Sequence, residues 1–453
     1  MSNAKSPRSK PHPRSGETPN QSLLSILDLV RRGGANTRLE LERTCELGRA
    51  IVADRLATLA ELGLVDETKS GTATGGRAPK IVRFRREAGC VLVASLDQNS
   101  LGIGLADLSG HLLTEHHEAF ELSTDPVATV DRLVKLAEWV LSRNSEAGEL
   151  WGIGLSVPGP VTTVASDLFQ SVTPPFLPGW EDALLIETLV SKFGAPVWIR
   201  SSVETMTMGE LSAGEGADVS SMLYIKVGKR IGAGLVIDRE LFRGASGAAG
   251  LIGQLPVTES GQTGPLEVMA GADMIHREGH AAALDGRSSY LADIFARMNE
   301  LTPYDVGQAA QSGDPVSMEI LSRSGRHIGH AAAYLATILN PELIVIGGGM
   351  AITNDTLLAA VREVVYRESH PLVTRDLRIV QSQMGSSAGL VGAAMVVTEA
   401  LFAQGLLRGW LMRATPRAHP DLHAAAEAAD RRLSRLPEIA APPALDLPRG
   451  PST

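Results

Sequence analysis

Residues 37–65 read TRLELERTCELGRAIVADRLATLAELGLV. Leu41, Leu47, Val52, Leu56 and Leu59 recur at spacings that give each of two short helices one apolar face, both turned inward. The pattern predicts a tight turn, then a second helix from Gly48-Arg49 to Glu61-Leu62, with Gly63 as its stop. That is the layout of a helix-turn-helix, whose second helix lies in the DNA major groove. Its outward positions are Arg49, Ala50, Ala53 and Asp54. Downstream, the polar tip GTATGGRAPK (71–80) and the alternating run Ile81-Val82-Arg83-Phe84-Arg85 read as a wing hairpin with Arg77 near its apex. Upstream, Leu23, Leu24, Ile26, Leu27, Leu29 and Val30 mark a scaffold helix over 21–32, closed by Gly33-Gly34. A small helical bundle with a charged face is the alternative for this region. The turn, the following Gly-Leu-Val and the wing together favour DNA binding over it.

The side chains on this face suit the task. Arg49 can pair with guanine through two hydrogen bonds, and Ala50 and Ala53 can meet thymine methyls. Asp54 either reads cytosine or balances Arg55. Arg38 and Arg43 are placed for phosphates, and Arg77 for a narrow minor groove. Charge agrees. Residues 1–88 hold 16 Lys/Arg against 10 Asp/Glu, a balance of +6; the chain as a whole stands at −9, which leaves −15 on the remainder. A basic end on an acidic body predicts that only the first part meets a polyanion. One such head reads few base pairs, so a homodimer, or a dimer of dimers, on a two-half-site operator is expected.

At 453 residues the chain has room for more than one domain. No apolar run is long enough to span a bilayer, and the N-terminus lacks the apolar segment of a secretory signal. Cys45 and Cys90, far apart, form neither a metal-spaced set nor a disulfide framework. These features predict a cytoplasmic protein with no membrane partner. From residue 89 onward strand-like runs alternate with helical ones, twice over, which predicts an α/β fold with two similar lobes. The expected divisions are a disordered tail at 1–19, the winged helix-turn-helix at 20–88, the two-lobed body at 89–404, and a C-terminal extension at 405–453, partly helical and then disordered. Cut at 88, the body is expected to stay folded.

Six segments in order resemble the ROK family of bacterial sugar kinases and transcriptional repressors. They are the helix-turn-helix with its Gly-Leu-Val, Gly75-Gly76-Arg77-Ala78-Pro79, Gly154–Val161 (GLSVPGPV), Gly244–Gly250 (GASGAAG), Asn340–Gly349 (NPELIVIGGG) and Ala388–Ala394 (AGLVGAA). The resemblance implies an actin-like, ribonuclease-H-like body of sugar-kinase type. The winged helix ahead of it resembles the repressor branch.

Departures from the family's kinase pattern are as informative. The phosphate turn Asp-x-Gly-Gly-Thr, whose backbone N–H groups would meet ATP, reads Asp97-Gln98-Asn99-Ser100-Leu101 here. The second phosphate loop, Gly-Thr-Gly-x-Gly, reads Gly228-Lys229-Arg230-Ile231-Gly232. Phosphoryl transfer to a hydroxyl needs a carboxylate to take its proton, and Ser202 stands at that position. Glu204, two residues on, is expected to point elsewhere. The sugar-binding Glu-x-Gly-His appears as Leu251-Ile252-Gly253-Gln254. The zinc-binding cysteines are absent from Glu259–Glu267, so neither metal nor other cofactor is expected. Glu267 stands where the family has a sugar-contacting carboxylate, or it is a helix-start Glu favoured by the dipole. The body is thus expected to be catalytically inactive, with Gly159, Ser201, Ser202, Gln254 and Glu267 lining a cleft for a small-molecule effector, a sugar or derivative. An active ATP-dependent carbohydrate kinase fused to a DNA-binding head, and an effector-free scaffold, are the alternatives.

Overall fold

The computed structural model describes residues 19–69, 80–122, 126–164, 171–173, 185–351 and 355–434. Arg77 lies outside the described residues, as do residues 1–18 of the tail expected at 1–19 and residues 435–453 of the C-terminal extension; Pro19, the last residue of that tail, opens the first helix.

The head is built from α1 (Pro19–Arg31), α2 (Arg38–Thr44) and α3 (Arg49–Glu61), followed by a hairpin of β1 (Val65–Lys69) and β2 (Lys80–Phe84). Thr37-Arg38-Leu39-Glu40 is a capping box. The Glu40 N–H donates to Thr37 Oγ1, and the Glu40 carboxylate accepts from the Thr37 N–H. Gly63, at φ +72°, takes the left-handed position that ends α3, so that the Leu64 N–H reaches back to the Leu59 carbonyl. Val65 pairs with Phe84 to open the antiparallel wing.

The first lobe follows with β3 (Cys90–Asp97), β4 (Ser100–Asp107), β5 (Leu112–Ala119), α4 (Pro126–Arg143) and β6 (Leu150–Val157). It continues with the short β7 (Thr162–Val164) and β8 (Ser171–Thr173), then α5 (Leu185–Phe193), β9 (Val197–Ser201) and α6 (Ser202–Ala213). Its sheet has the order β5-β4-β3-β6-β9, antiparallel through β3 and parallel beyond. β6 is buried along its whole length, as a strand covered on both faces must be, whereas the edge strand β5 alternates half-buried and exposed.

The second lobe repeats the plan. It comprises β10 (Met222–Val227), β11 (Ile231–Ile237), β12 (Glu240–Phe242), the hairpin β13 (Pro256–Glu259) and β14 (Gln262–Pro265), and α7 (Leu266–Ala270). Next come α8 (Ala272–Leu284), α9 (Ser289–Met298), α10 (Pro303–Gln311), α11 (Pro315–Leu339), β15 (Leu343–Gly347), α12 (Asp355–Glu368), α13 (Pro371–Thr374) and β16 (Arg378–Gln381). The sheet order β12-β11-β10-β15-β16, again antiparallel then parallel, mirrors the first. The chain then returns to the first lobe as α14 (Ser387–Phe402), α15 (Gln404–Trp410) and α16 (Pro420–Leu433). Helix α14 lies across α6, and the contact is so close that a Cβ built on Gly392 would fall 1.6 Å from the Thr205 carbonyl oxygen. Among the described residues no single helix is long and apolar enough to cross a membrane.

Two elements differ from the helical patterns in the sequence, and a third is described only in part. The sequence pattern over 270–284 reads as one helix, but the chain is broken at Gly271, where any Cβ would meet the Glu267 carbonyl oxygen at 2.4 Å, and α7 stands apart as a short helix of its own. The sequence pattern over 387–404 likewise reads as one helix, but it ends at Phe402, and the chain turns 67° into the next helix. The pattern over 180–193 also reads as a helix, and the part of it from Leu185, which is described, is helical.

Head and body share one hydrophobic cluster. Leu27, Leu41, Leu56 and Phe84 of the head are continuous with Trp151, Val397, Phe402 and Trp410 of the body. Phe84 meets Phe402 edge-on with centroids 5.4 Å apart, and Trp410 packs against Trp151 at 5.2 Å. Arg31 lies over the Phe402 ring and pairs with Glu399, which Arg32 also holds, each at 2.9 Å. The apolar cluster therefore runs across residue 88 and takes in α15, which the sequence had assigned to a terminal extension.

Candidate nucleic-acid interface and interlobe cleft

On the head, Arg49 and Ala50 open α3 and are exposed, Asp54 is exposed, and Ala53 is half-buried. Arg49 has no hydrogen-bond or ion-pair partner among the described residues, so its guanidinium is available to a ligand. Asp54 is paired with Arg55 at 2.5 Å, and Arg55 also donates to Ser22 Oγ. Arg38 is bound to Glu67 at 2.6 Å, and Lys80 holds the other oxygen of that carboxylate at 2.9 Å. Hydrogen bonding from Arg38 is the main reason the Glu67 carboxyl lies below its usual range. Arg38 therefore ties α2 to the wing, and reaching a phosphate would require it to share or leave Glu67.

In the body, Gly159, Ser201, Ser202, Gln254 and Glu267 line one cavity of about 290 Å³, together with Asp97, Gln98, Glu204, Lys226 and Arg230. β3 delivers Asp97 at its C-terminal end, β9 and α6 deliver Ser201 and Ser202, and β10 delivers Lys226. The break before α8 leaves Glu267 on the short α7. Its side chain is only 11% exposed and accepts from Arg230 at 2.7 Å and Gln254 at 2.8 Å.

Each carboxylate of the cleft has a cation. Lys226 Nζ lies 2.8 Å from Asp97 Oδ2 and donates to Ser202 Oγ at 3.0 Å. Burial pushes the Asp97 carboxyl up, but the charge and hydrogen bond of Lys226 outweigh it and hold the group below its usual value. Glu204 was expected to point away from the cleft, and it does not. It turns back to accept the Ser201 N–H at 3.1 Å, and its other oxygen receives Arg243 Nε at 2.5 Å, which places the carboxylate on the cleft wall with both oxygens engaged. Burial, then the charge of Arg243, lowers Arg200 beside this pair to about 10. The hydroxyl of Ser202 meets an ammonium, which cannot take a proton. Among the described residues no group of three or more metal-ligating side chains comes together.

Sequence reasoning missed Lys226, Gln98 and the placement of Glu204. A lone Lys inside the apolar run Met222–Val227 was the available signal, because a charge buried in a central strand needs a partner. For Glu204 it was Ser201-Ser202-Val203-Glu204, a second capping box.

A model of the ROK family matches residues 98–400. The xylose repressor of Caldicellulosiruptor bescii is 27% identical over 387 residues, which cover 83% of this chain and 96% of that protein. The glucokinase of Halalkalibacterium halodurans is 30% identical over 258 residues, covering 55% of this chain and 77% of that one. Among solved structures, a ROK family transcriptional regulator described as a homologue of the E. coli MLC protein aligns with a TM-score of 0.70 at 23% identity, covering 86% of this chain and 98% of that one.

Proposed function

We propose that this chain, which belongs to the ROK family, is a DNA-binding transcriptional repressor whose kinase-like body has lost phosphoryl transfer and serves as a ligand sensor. The observation that carries the reading is the extent of the likeness: the repressor match takes in 83% of this chain and 96% of that repressor, while the kinase match takes in 55% of this chain and 77% of that kinase. Arg49, exposed at the start of α3 and without a partner among the described residues, supports a reading helix. A second copy on a two-fold operator supplies the other half-site. Lys226 on Ser202 and Asp97 supports an inactive body, since a hydroxyl held by an ammonium is no base and the turn glycines that would cradle a phosphate are absent.

Purified full-length protein should retard a duplex taken from its own upstream region in a salt-controlled gel shift. Arg49→Ala should weaken specific binding by about 1–3 kcal/mol and relax one base position. Undiminished binding by the variant would remove α3 from the groove. The glucokinase likeness favours one other reading, an active kinase. It is tested with ATP and a panel of hexoses, and turnover above that of a Ser202→Ala control would establish it. The cleft's ligand is read as a sugar or derivative, with xylose and other pentoses as first probes. A ligand-dependent rise in melting temperature separates the sensor from an effector-free scaffold.

A further inference from the structure

The two lobes are joined in two different ways. Helix α6 is packed against both. Its Thr205 hydroxyl lies 2.7 Å from that of Ser156 on β6, and a Cβ on Gly234 of β11 would fall 1.8 Å from Thr207 Oγ1. At the cleft the joint is ionic. β3 and β10 are the middle strands of their sheets, and their C-terminal ends are bonded to each other through Lys226 Nζ and Asp97 Oδ2 at 2.8 Å. The same ammonium donates to Ser202 Oγ. Arg243, which follows β12, crosses at a second point. Its Nε donates to Glu204 at 2.5 Å, and its Nη2 reaches the Val161 carbonyl after β6 at 3.5 Å. Glu204 is tied to the first lobe, because it accepts the N–H of Ser201, the last residue of β9. Both cations come from the second lobe, and the acceptors are held by the first.

We propose that Lys226 and Arg243 form a two-point latch that holds the lobes together at the cleft without help from a ligand. Its strength lies in burial. The side chains of Lys226 and Glu204 are only 6% and 11% exposed, so each depends on its partner and not on water. A charge that loses such a partner has to be hydrated, and hydrating these two means parting the lobes about α6. Asp97, Ser202, Glu204 and Lys226 all line the cavity, so its occupant meets the latch itself.

The test is a distance between the lobes in the ligand-free, full-length protein. Cys45→Ser leaves only the buried Cys90. Nitroxides are then placed at Asn99→Cys, exposed in the turn after β3, and at Asp285→Cys, exposed at the far end of α8. In double electron–electron resonance, Asp97→Asn should lengthen the mean distance by more than about 2 Å. Lys226→Met combined with Arg243→Met should lengthen it at least as much. Lys229→Met removes an exposed cation paired to Asp273 within the second lobe, and should leave the distance as it was. An unchanged distance in Asp97→Asn or in the doubly substituted protein, with wild-type circular dichroism, overturns the latch. So does an equal lengthening by Lys229→Met. Asp97→Asn keeps the shape of the side chain, so it supplies the reading should the doubly substituted protein fail to fold. Neither result bears on DNA binding by the head.

Discussion

Replacing Lys226 by Met leaves the Asp97 carboxylate without the charge that holds its proton affinity down, so burial governs and the group shifts upward. The loss should be about 1–3 kcal/mol at pH 7, since Asp97 is partly solvated and the pair is screened. In wild type a carboxyl held below its ordinary value stabilises the fold above that range and loses the contribution as pH falls through the folded value. The deficit of Lys226→Met in urea melts should therefore be larger at pH 7 than at pH 3. Glu210 has the opposite sign. Burial raises it, against the hydrogen bonds of Ser382 and the Glu215 N–H. A raised acid stabilises below the ordinary range and loses that contribution as pH rises through the folded value. Glu210→Gln can accept the Glu215 N–H with its oxygen and donate its amide N–H to Ser382 Oγ, the serine turning from donor to acceptor, and should melt higher than wild type at pH 8, with the difference closing near pH 4. The face of α3 was legible because helix period and exposure coincide there. The ion pairs of the cleft were not, because a single Lys in a strand names no partner and Asp97 lies 129 residues away.

Helices α6 and α14 pack through glycine. A methyl on Gly392 would meet the Thr205 carbonyl at 1.6 Å, and one on Gly209 would meet the Ala388 carbonyl at 2.2 Å, so neither backbone can yield without the other. Gly392→Ala should cost about 3 kcal/mol or leave the protein insoluble, which soluble yield and a urea melt would show. The Ala-Gly-Leu-Val-Gly-Ala-Ala run stood out in the sequence only as a family-like segment; its part in close packing comes from the structure. The bend at Ala403 carried no such mark. Nothing in Leu-Phe-Ala-Gln breaks a helix by propensity, and it is the burial of Phe402 and Trp410 in one aromatic cluster that turns the chain. The repeated sheet plan was readable because strand and helix alternate twice. The membership of α15 in the head–body junction depends on its contact with α1, at the other end of the described chain, and was not.

A cut at residue 88 would strip Leu27, Leu41 and Phe84 from Trp151, Phe402 and Trp410, and Arg31 and Arg32 from Glu399. Protein beginning at Gly89 should melt well below the full chain and bind a hydrophobic dye, while one kept whole should not. The same junction bears on how news of an occupied cleft would travel. Helix α14 starts where Gly389 lies against Ser95 and Ser156, on the strands that end at the cleft, and finishes at Glu399 and Phe402, where the head is gripped. It spans about 24 Å, and from Met395 onward it contains neither glycine nor proline. A helix without such breaks resists bending, so a tilt at its near end would swing the far end, and the head with it.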